Sequence, residues 1–129
     1  MKNQQFSLLM SEVAQLVHGE TLPVRDRDSL VCTYGEWSCR IENGAVIGLT
    51  GQIIVLVKLD SAIDEQHALK VNGHFGLTLD GYIAMLTDNE RFYVRHKPMP
   101  THPQQVLDVL SQTISVVHQL KEELQRLCG

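Results

Sequence analysis

A chain of 129 residues with 43% apolar content can bury a substantial core without disulfide or metal staples, and one domain spanning 1–129 is expected. Its formal charge of −4 provides no basic footprint for a phosphate backbone, so DNA and RNA are not expected partners. The longest unbroken aliphatic run, Ile53 to Val57, falls far short of the roughly 20 residues that cross a bilayer, and no membrane partner is expected.

Met1-Lys2-Asn3-Gln4-Gln5 leads into an amphipathic segment, which is not the uniformly apolar region of a secretory signal, so the protein is expected to stay in the cytoplasm. From Phe6 to Val17 the apolar residues Phe6, Leu9, Met10, Val13, Leu16 and Val17 recur at three- and four-residue steps, which predicts one face of a helix. Gly19 supplies a stop for it. Leu8 lies off that stripe and is either an ordinary exposed apolar residue or part of a contact surface. Glu20 to Asp28, polar and carrying Pro23, reads as a loop.

Strands follow. Leu30 to Tyr34 alternates, and in Glu36 to Glu42 the residues Trp37, Cys39 and Ile41 share one face while Ser38, Arg40 and Glu42 share the other. Gly35 permits the turn between them, and Asn43-Gly44 signals another. The next strand, Thr50 to Leu59, breaks the alternation. Ile53, Val55, Val57 and Leu59 fill one face and Ile54 and Leu56 much of the other, so the strand is either sandwiched by the protein itself or open on one face to an apolar partner.

Ser61, with Asp64 three residues on, predicts a capped helix entry and a short helix to about Asn72, ended by Gly73. Strands from Tyr82 to Thr87 and Arg91 to His96 are joined by the turn Asp88-Asn89-Glu90, and Pro98 and Pro100 stop the sheet. Thr101 and Gln104 fit a capping box, with Pro103 near the first turn of a long helix. Val106, Leu110, Val117, Leu120, Leu124 and Leu127 form its stripe, widened by Leu107 and Ile114, with Glu122 and Arg126 paired outside. The expected fold class is α+β in the order α-β-β-β-α-β-β-α, a twisted, mainly antiparallel sheet packed by N- and C-terminal helices.

Chemistry is sparse. Histidines 18, 67, 74, 96, 102 and 118 make no HExxH motif, and Cys32, Cys39 and Cys128 make no CxxC motif or zinc spacing, so no metal or cofactor is expected. An odd cysteine count at irregular spacing points to a reducing compartment, with Cys32 and Cys39 as apolar strand residues and Cys128 as a free, exposed thiol. Cys39 could meet a distant histidine as a nucleophile, but it faces the same side as Trp37 and Ile41, which favours a buried, inert thiol. Gly44, Gly48 and Gly51 are followed by no Lys-Ser/Thr and read as turn and bulge residues. The acidic residues sit at turns and helix ends. The chain therefore reads as a binding protein, not an enzyme.

The element order, the acidic balance and the long terminal helix resemble the class I type III secretion chaperones of the Tir chaperone family. The most specific patch is Tyr34-Gly35-Glu36-Trp37-Ser38-Cys39-Arg40-Ile41, followed by Gly51-Gln52-Ile53-Ile54-Val55-Leu56-Val57, similar to the strand pair of Yersinia-type members. The resemblance implies a cytoplasmic bacterial homodimer that takes part in virulence. It would hold the N-terminal segment of a secreted effector protein extended and export-competent without using ATP, with the export-apparatus ATPase as a further candidate partner. It implies client contacts at Leu8, Val13, Val31, Ile54 and Leu56, and a dimer interface at Leu69, Val71, Phe75, Ile83 and Met85. Ile53, Val55 and Val57 would then meet the domain's own helices. A small dimeric docking adaptor of profilin-like or roadblock type is the alternative reading. A small hydrolase using Cys39 or Cys128 is a second.

Overall fold

The computed structural model describes residues 2–24, 27–59, 70, 72–73, 78–87 and 90–128. Helix α1 (Lys2–Leu16) leads into strands β1 (His18–Val24), β2 (Arg27–Tyr34) and β3 (Trp37–Asn43), a 3-10 turn (Gly44–Ile47), and strand β4 (Gln52–Leu59). Strands β5 (Gly81–Thr87) and β6 (Glu90–Pro98) and the helix α2 (Pro103–Cys128) complete the described chain. The fold is α+β. All six strands form one antiparallel sheet in the order β1-β2-β3-β4-β6-β5.

The register puts residues in rows across the sheet, and the two-residue period separates two faces. Cys32, Cys39, Val57, Tyr93 and Ile83 lie in one row, and Leu30, Ile41, Val55, Arg95 and Gly81 in the next. Both rows belong to the face that the helices cover. Phe6, Leu9, Met10 and Val13 of α1 and Val106, Leu110, Val117 and Leu120 of α2 join Ile53, Val55 and Val57 in this main core. The opposite face carries a separate apolar cluster of Ile54, Leu56, Phe92 and Val94.

Three expectations change here. The segment expected as a loop over Glu20 to Asp28 forms most of edge strand β1 and the start of β2, joined antiparallel from His18↔Thr33 to Val24↔Arg27. Its polar sequence shows no apolar alternation because β1 is stabilised by its ladder with β2, and Pro23 is tolerated on an edge strand, where one side of the backbone has no ladder to complete. Helix α1 accordingly ends before Gly19, and Leu16 is exposed, not part of the core stripe. At the entry to α2 the capping glutamine is Gln105 and not Gln104. The Gln105 Oε1 accepts from Thr101 N–H (3.0 Å) and His102 N–H (3.3 Å), while Gln104 donates to Asp108. Of the helix expected over Ser61 to Asn72, only Lys70 and Asn72 are described, and both are helical.

Some turns follow directly from the sequence. Asn43 caps the 3-10 turn, its side chain accepting from Ala45 N–H, and Gly48 closes the turn at φ 83°. Gly35 (φ 63°) makes the two-residue turn between β2 and β3.

A polar clamp lies inside the helix-covered face. Arg95 is 6% exposed, and its Nε and Nη2 donate to the two carboxylate oxygens of Asp80 (2.9 and 3.1 Å). Its Nη1 donates to Thr113 Oγ1 (2.9 Å), and that hydroxyl donates back to the Val109 carbonyl of α2 (2.7 Å). Lys97 adds a second cation on Asp80 at 2.6 Å. Tyr93 fastens the same turn, its hydroxyl donating to the Thr78 carbonyl, and its ring leaves no room for a side chain at Gly81, where a Cβ would lie 2.4 Å from it.

The Arg95 hydrogen bond, helped by Lys97, holds the Asp80 carboxyl at about 2, below its ordinary 3.8. A lowered folded-state value means the stabilisation is complete above the ordinary carboxylate range and is lost as pH falls from about 4 towards 2. Asp80→Asn should lower stability at neutral pH by roughly 2 kcal/mol, less than a fully buried pair would lose, because the Asp80 side chain is half exposed. Urea denaturation at stepped pH checks both points: the gap between wild type and variant should narrow in acid.

Candidate functional site

The residues singled out as client contacts separate into three environments. Leu8 is 66% exposed on α1. It opens onto a groove of about 370 Å³ whose other walls are Gln5, Glu12 and the segment Met99-Pro100-Thr101. That segment is held by the bond from Met99 N–H to the Gly51 carbonyl (2.8 Å), which ties the end of β6 to the turn before β4. Val13, by contrast, is 0% exposed in the main core. It offers no surface to a client: five residues after Leu8, it lies on the opposite side of α1, on the face it shares with Met10.

Val31, Ile54 and Leu56 share the second face of the sheet. One row runs Val31, Arg40, Leu56, Val94, Tyr82, and its neighbour contains Glu42, Ile54 and His96. Arg40 therefore separates exposed Val31 from Leu56. Glu42 binds Arg40 Nε (2.7 Å) and the Ser29 hydroxyl (2.6 Å), making the β2-β3 half of this face polar. Its β4-β6 half is apolar, and Ile54 (8% exposed) and Leu56 (5%) are already buried within the single chain. Beside them Tyr82 and His96 meet through Oη and Nε2 at 2.7 Å.

Of the residues assigned to a dimer contact, Leu69, Val71 and Phe75 lie outside the described residues. Ile83 belongs to the main core, on the helix-covered face opposite Tyr93, and so is corrected to an interior residue. Met85 is exposed near the end of β5. The free edge of β5 is partly closed: Asn72 Oδ1 accepts from Ile83 N–H (2.8 Å) and its Nδ2 donates to the Ile83 carbonyl (3.1 Å). A side-chain amide thus takes the place of a neighbouring strand. No strand pairs with the outer edge of β1 among the described residues.

A second cleft, about 580 Å³, lies between the β2-β3 turn and α2, with Tyr34 and Trp37 facing Ile114, His118 and Lys121. The Lys121 ammonium stands 5.6 Å from the Trp37 ring centroid, a cation–π contact, and His118 pairs with Glu122 at 3.3 Å. In the sequence pattern Tyr34 and Trp37 stand as strand residues on either side of Gly35. Their convergence with α2 was visible only as two aromatics flanking a predicted turn.

The chain matches no protein-family model, no curated protein and no solved structure. Cys32 and Cys39 are free and buried, and Cys39 donates to the Trp37 carbonyl at 3.5 Å. Its hydrogen bond with Cys32, together with burial, pushes the Cys39 thiol well above its ordinary range, so it is held as the protonated thiol and not as a free thiolate. The side chain of Cys128 lies outside the described ones. No cluster of three or more His, Cys, Asp or Glu suited to a metal occurs among the described residues, and no described helix is long and apolar enough to cross a membrane.

Burial separates the candidates energetically. Leu56→Ala should cost about 2–4 kcal/mol by removing buried side-chain contacts, whereas Leu8→Ala should stay within about 0.5 kcal/mol of wild type. Chemical denaturation of the two variants measures the contrast.

Proposed function

We propose that the protein is an ATP-independent chaperone of the class I type III secretion type, a bacterial cytoplasmic homodimer that holds the N-terminal segment of a secreted effector in extended form. The observation that carries this reading is the solvent-exposed Leu8 at the mouth of the groove between α1 and Met99-Pro100-Thr101. The groove offers an apolar anchor point with polar groups at its rim, the arrangement in which a short apolar side chain of an extended partner can be seated.

The sheet edges support the same reading. With Asn72 occupying the middle of β5, strand addition falls to β1, whose polar sequence keeps that edge from self-association while leaving its main chain able to bond. An extended client must lose conformational freedom on binding, so several separated contacts are required. Exposed Leu16 and Val31 offer further apolar points away from the groove. Ile54 and Leu56 are removed from the direct client surface by their burial, and they support the second face of the sheet instead.

The purified chain should run as a dimer by light scattering and protect an N-terminal segment of one secreted protein from proteolysis. Leu8→Asp should weaken that complex at least tenfold, about 1.4 kcal/mol, with an unchanged thermal transition. A monomeric chain that protects no segment of any secreted protein would overturn the proposal.

A further inference from the structure

We propose that Cys32 and Cys39 form an oxidisable dithiol, which a peroxide converts into a disulfide tying β2 to β3 behind the Trp37 turn. The two residues are direct partners in the β2-β3 register. Because Tyr34↔Trp37 closes a two-residue turn, the pairing alternates so that Cys32↔Cys39, two steps on, is again a hydrogen-bonded pair. Such pairs place Cα atoms about 5.5 Å apart, within the Cα range of disulfides. Their Cβ atoms start wider than the roughly 3.8 Å of a disulfide, so closure draws β2 and β3 together at this point. Both side chains point to the helix-covered face and both thiols are free.

The surroundings favour a reaction between these two sulfurs over reaction with other groups. Each is nearly enclosed by core residues, which excludes large thiol reagents and a second protein chain. The interaction between the two thiols lowers Cys32 and raises Cys39, so Cys32 is the more readily deprotonated of the pair. The Cys32 thiolate attacks one peroxide oxygen, the O–O bond breaks, and the departing hydroxide leaves as water after taking up a proton. The Cys39 sulfur then attacks the Cys32 sulfenic acid, the S–O bond breaks, and a second water departs with the Cys39 proton. Two thiols lose two electrons and the peroxide gains them.

Closure has a defined local consequence. In the dithiol state the Cys39 S–H donates to the Trp37 carbonyl, and oxidation removes that donor. Trp37, the only tryptophan of the chain, forms a wall of the cleft against α2, so the redox state of the pair is coupled to the shape of that cleft.

The test uses the full chain carrying Cys128→Ser, so that the third thiol does not react. After hydrogen peroxide treatment of the folded protein, the intact mass should fall by two hydrogens, and peptide mapping should join Cys32 to Cys39. Trp37 emission should shift, and dithiothreitol should reverse both changes. Cys32→Ala and Cys39→Ala should abolish the emission change. The mass and the map are read on a chain that keeps both cysteines, so the result does not depend on how those variants fold. Oxygen addition without hydrogen loss, a bridge between two chains, or two thiols that stay free in the folded protein would each overturn the proposal.

Discussion

Strand β4 carries large aliphatic side chains on both faces, and such a strand is stable only where both faces are covered. This places it inside the sheet, between β3 and β6, and not at an edge. Its two sides are served differently. Ile53, Val55 and Val57 meet α1 and α2 in the main core, while Ile54 and Leu56 are buried with Phe92 and Val94. Burying five consecutive aliphatic side chains in one strand contributes on the order of 10 kcal/mol of favourable transfer free energy before conformational entropy is subtracted. The antiparallel neighbours then extend each face in register, so the placement of one strand decides which residues of β2, β3, β5 and β6 become interior.

The helix-covered face also contains polar groups: Tyr93, Arg95 and Thr113 are matched there, whereas the buried Arg91 Nε has no partner among the described residues. Thr113 occupies a core position of α2, between Leu110 and Val117, because its hydroxyl both receives Arg95 and returns a hydrogen bond to its own helix. That dual role lets a guanidinium enter the core without an unpaired donor at this point. Asp80 closes the other side of the guanidinium, and the turn before β5 is shaped around it. Leu79 is held there at φ 54°, a left-handed conformation that costs a branched residue roughly 1–2 kcal/mol. The adjoining Thr78 and Asp80 contacts hold the turn in place despite that cost. Helix α2 is therefore fastened to the sheet by the Arg95–Thr113 hydrogen bond as well as by its apolar stripe.

The surface features have a different origin. The Leu8 groove exists because α1 and the segment following β6 run close together without closing, and the Trp37 cleft because the β2-β3 turn projects past the side of α2. At the sheet edges, a side-chain amide protects β5, whereas β1 relies on a polar, proline-containing sequence. These are two physical solutions to the same problem of unpaired main-chain groups.

Periodicity in the sequence was sufficient for much of this architecture. The apolar stripes of α1 and α2, the alternation of β3 and the double-sided character of β4 follow from residue spacing, since a buried face must repeat with the period of its backbone. Spacing could not show that the polar segment from Glu20 would become a strand, because β1 exists through its ladder with β2 and not through an apolar pattern of its own. It could not separate Leu8 from Val13, or Met85 from Ile83: each pair is apolar and near in sequence, and only packing assigns one to solvent and the other to the core. Nor could it place Thr113 beside Arg95 or Cys32 opposite Cys39, because those meetings depend on how a helix lies on the sheet and on the register of a hairpin. For β4, the sequence alone established that both faces require cover, a consequence of the cost of leaving aliphatic surface in water. Only the tertiary structure decided what covers which face, because that depends on the side of the sheet to which the distant helices return.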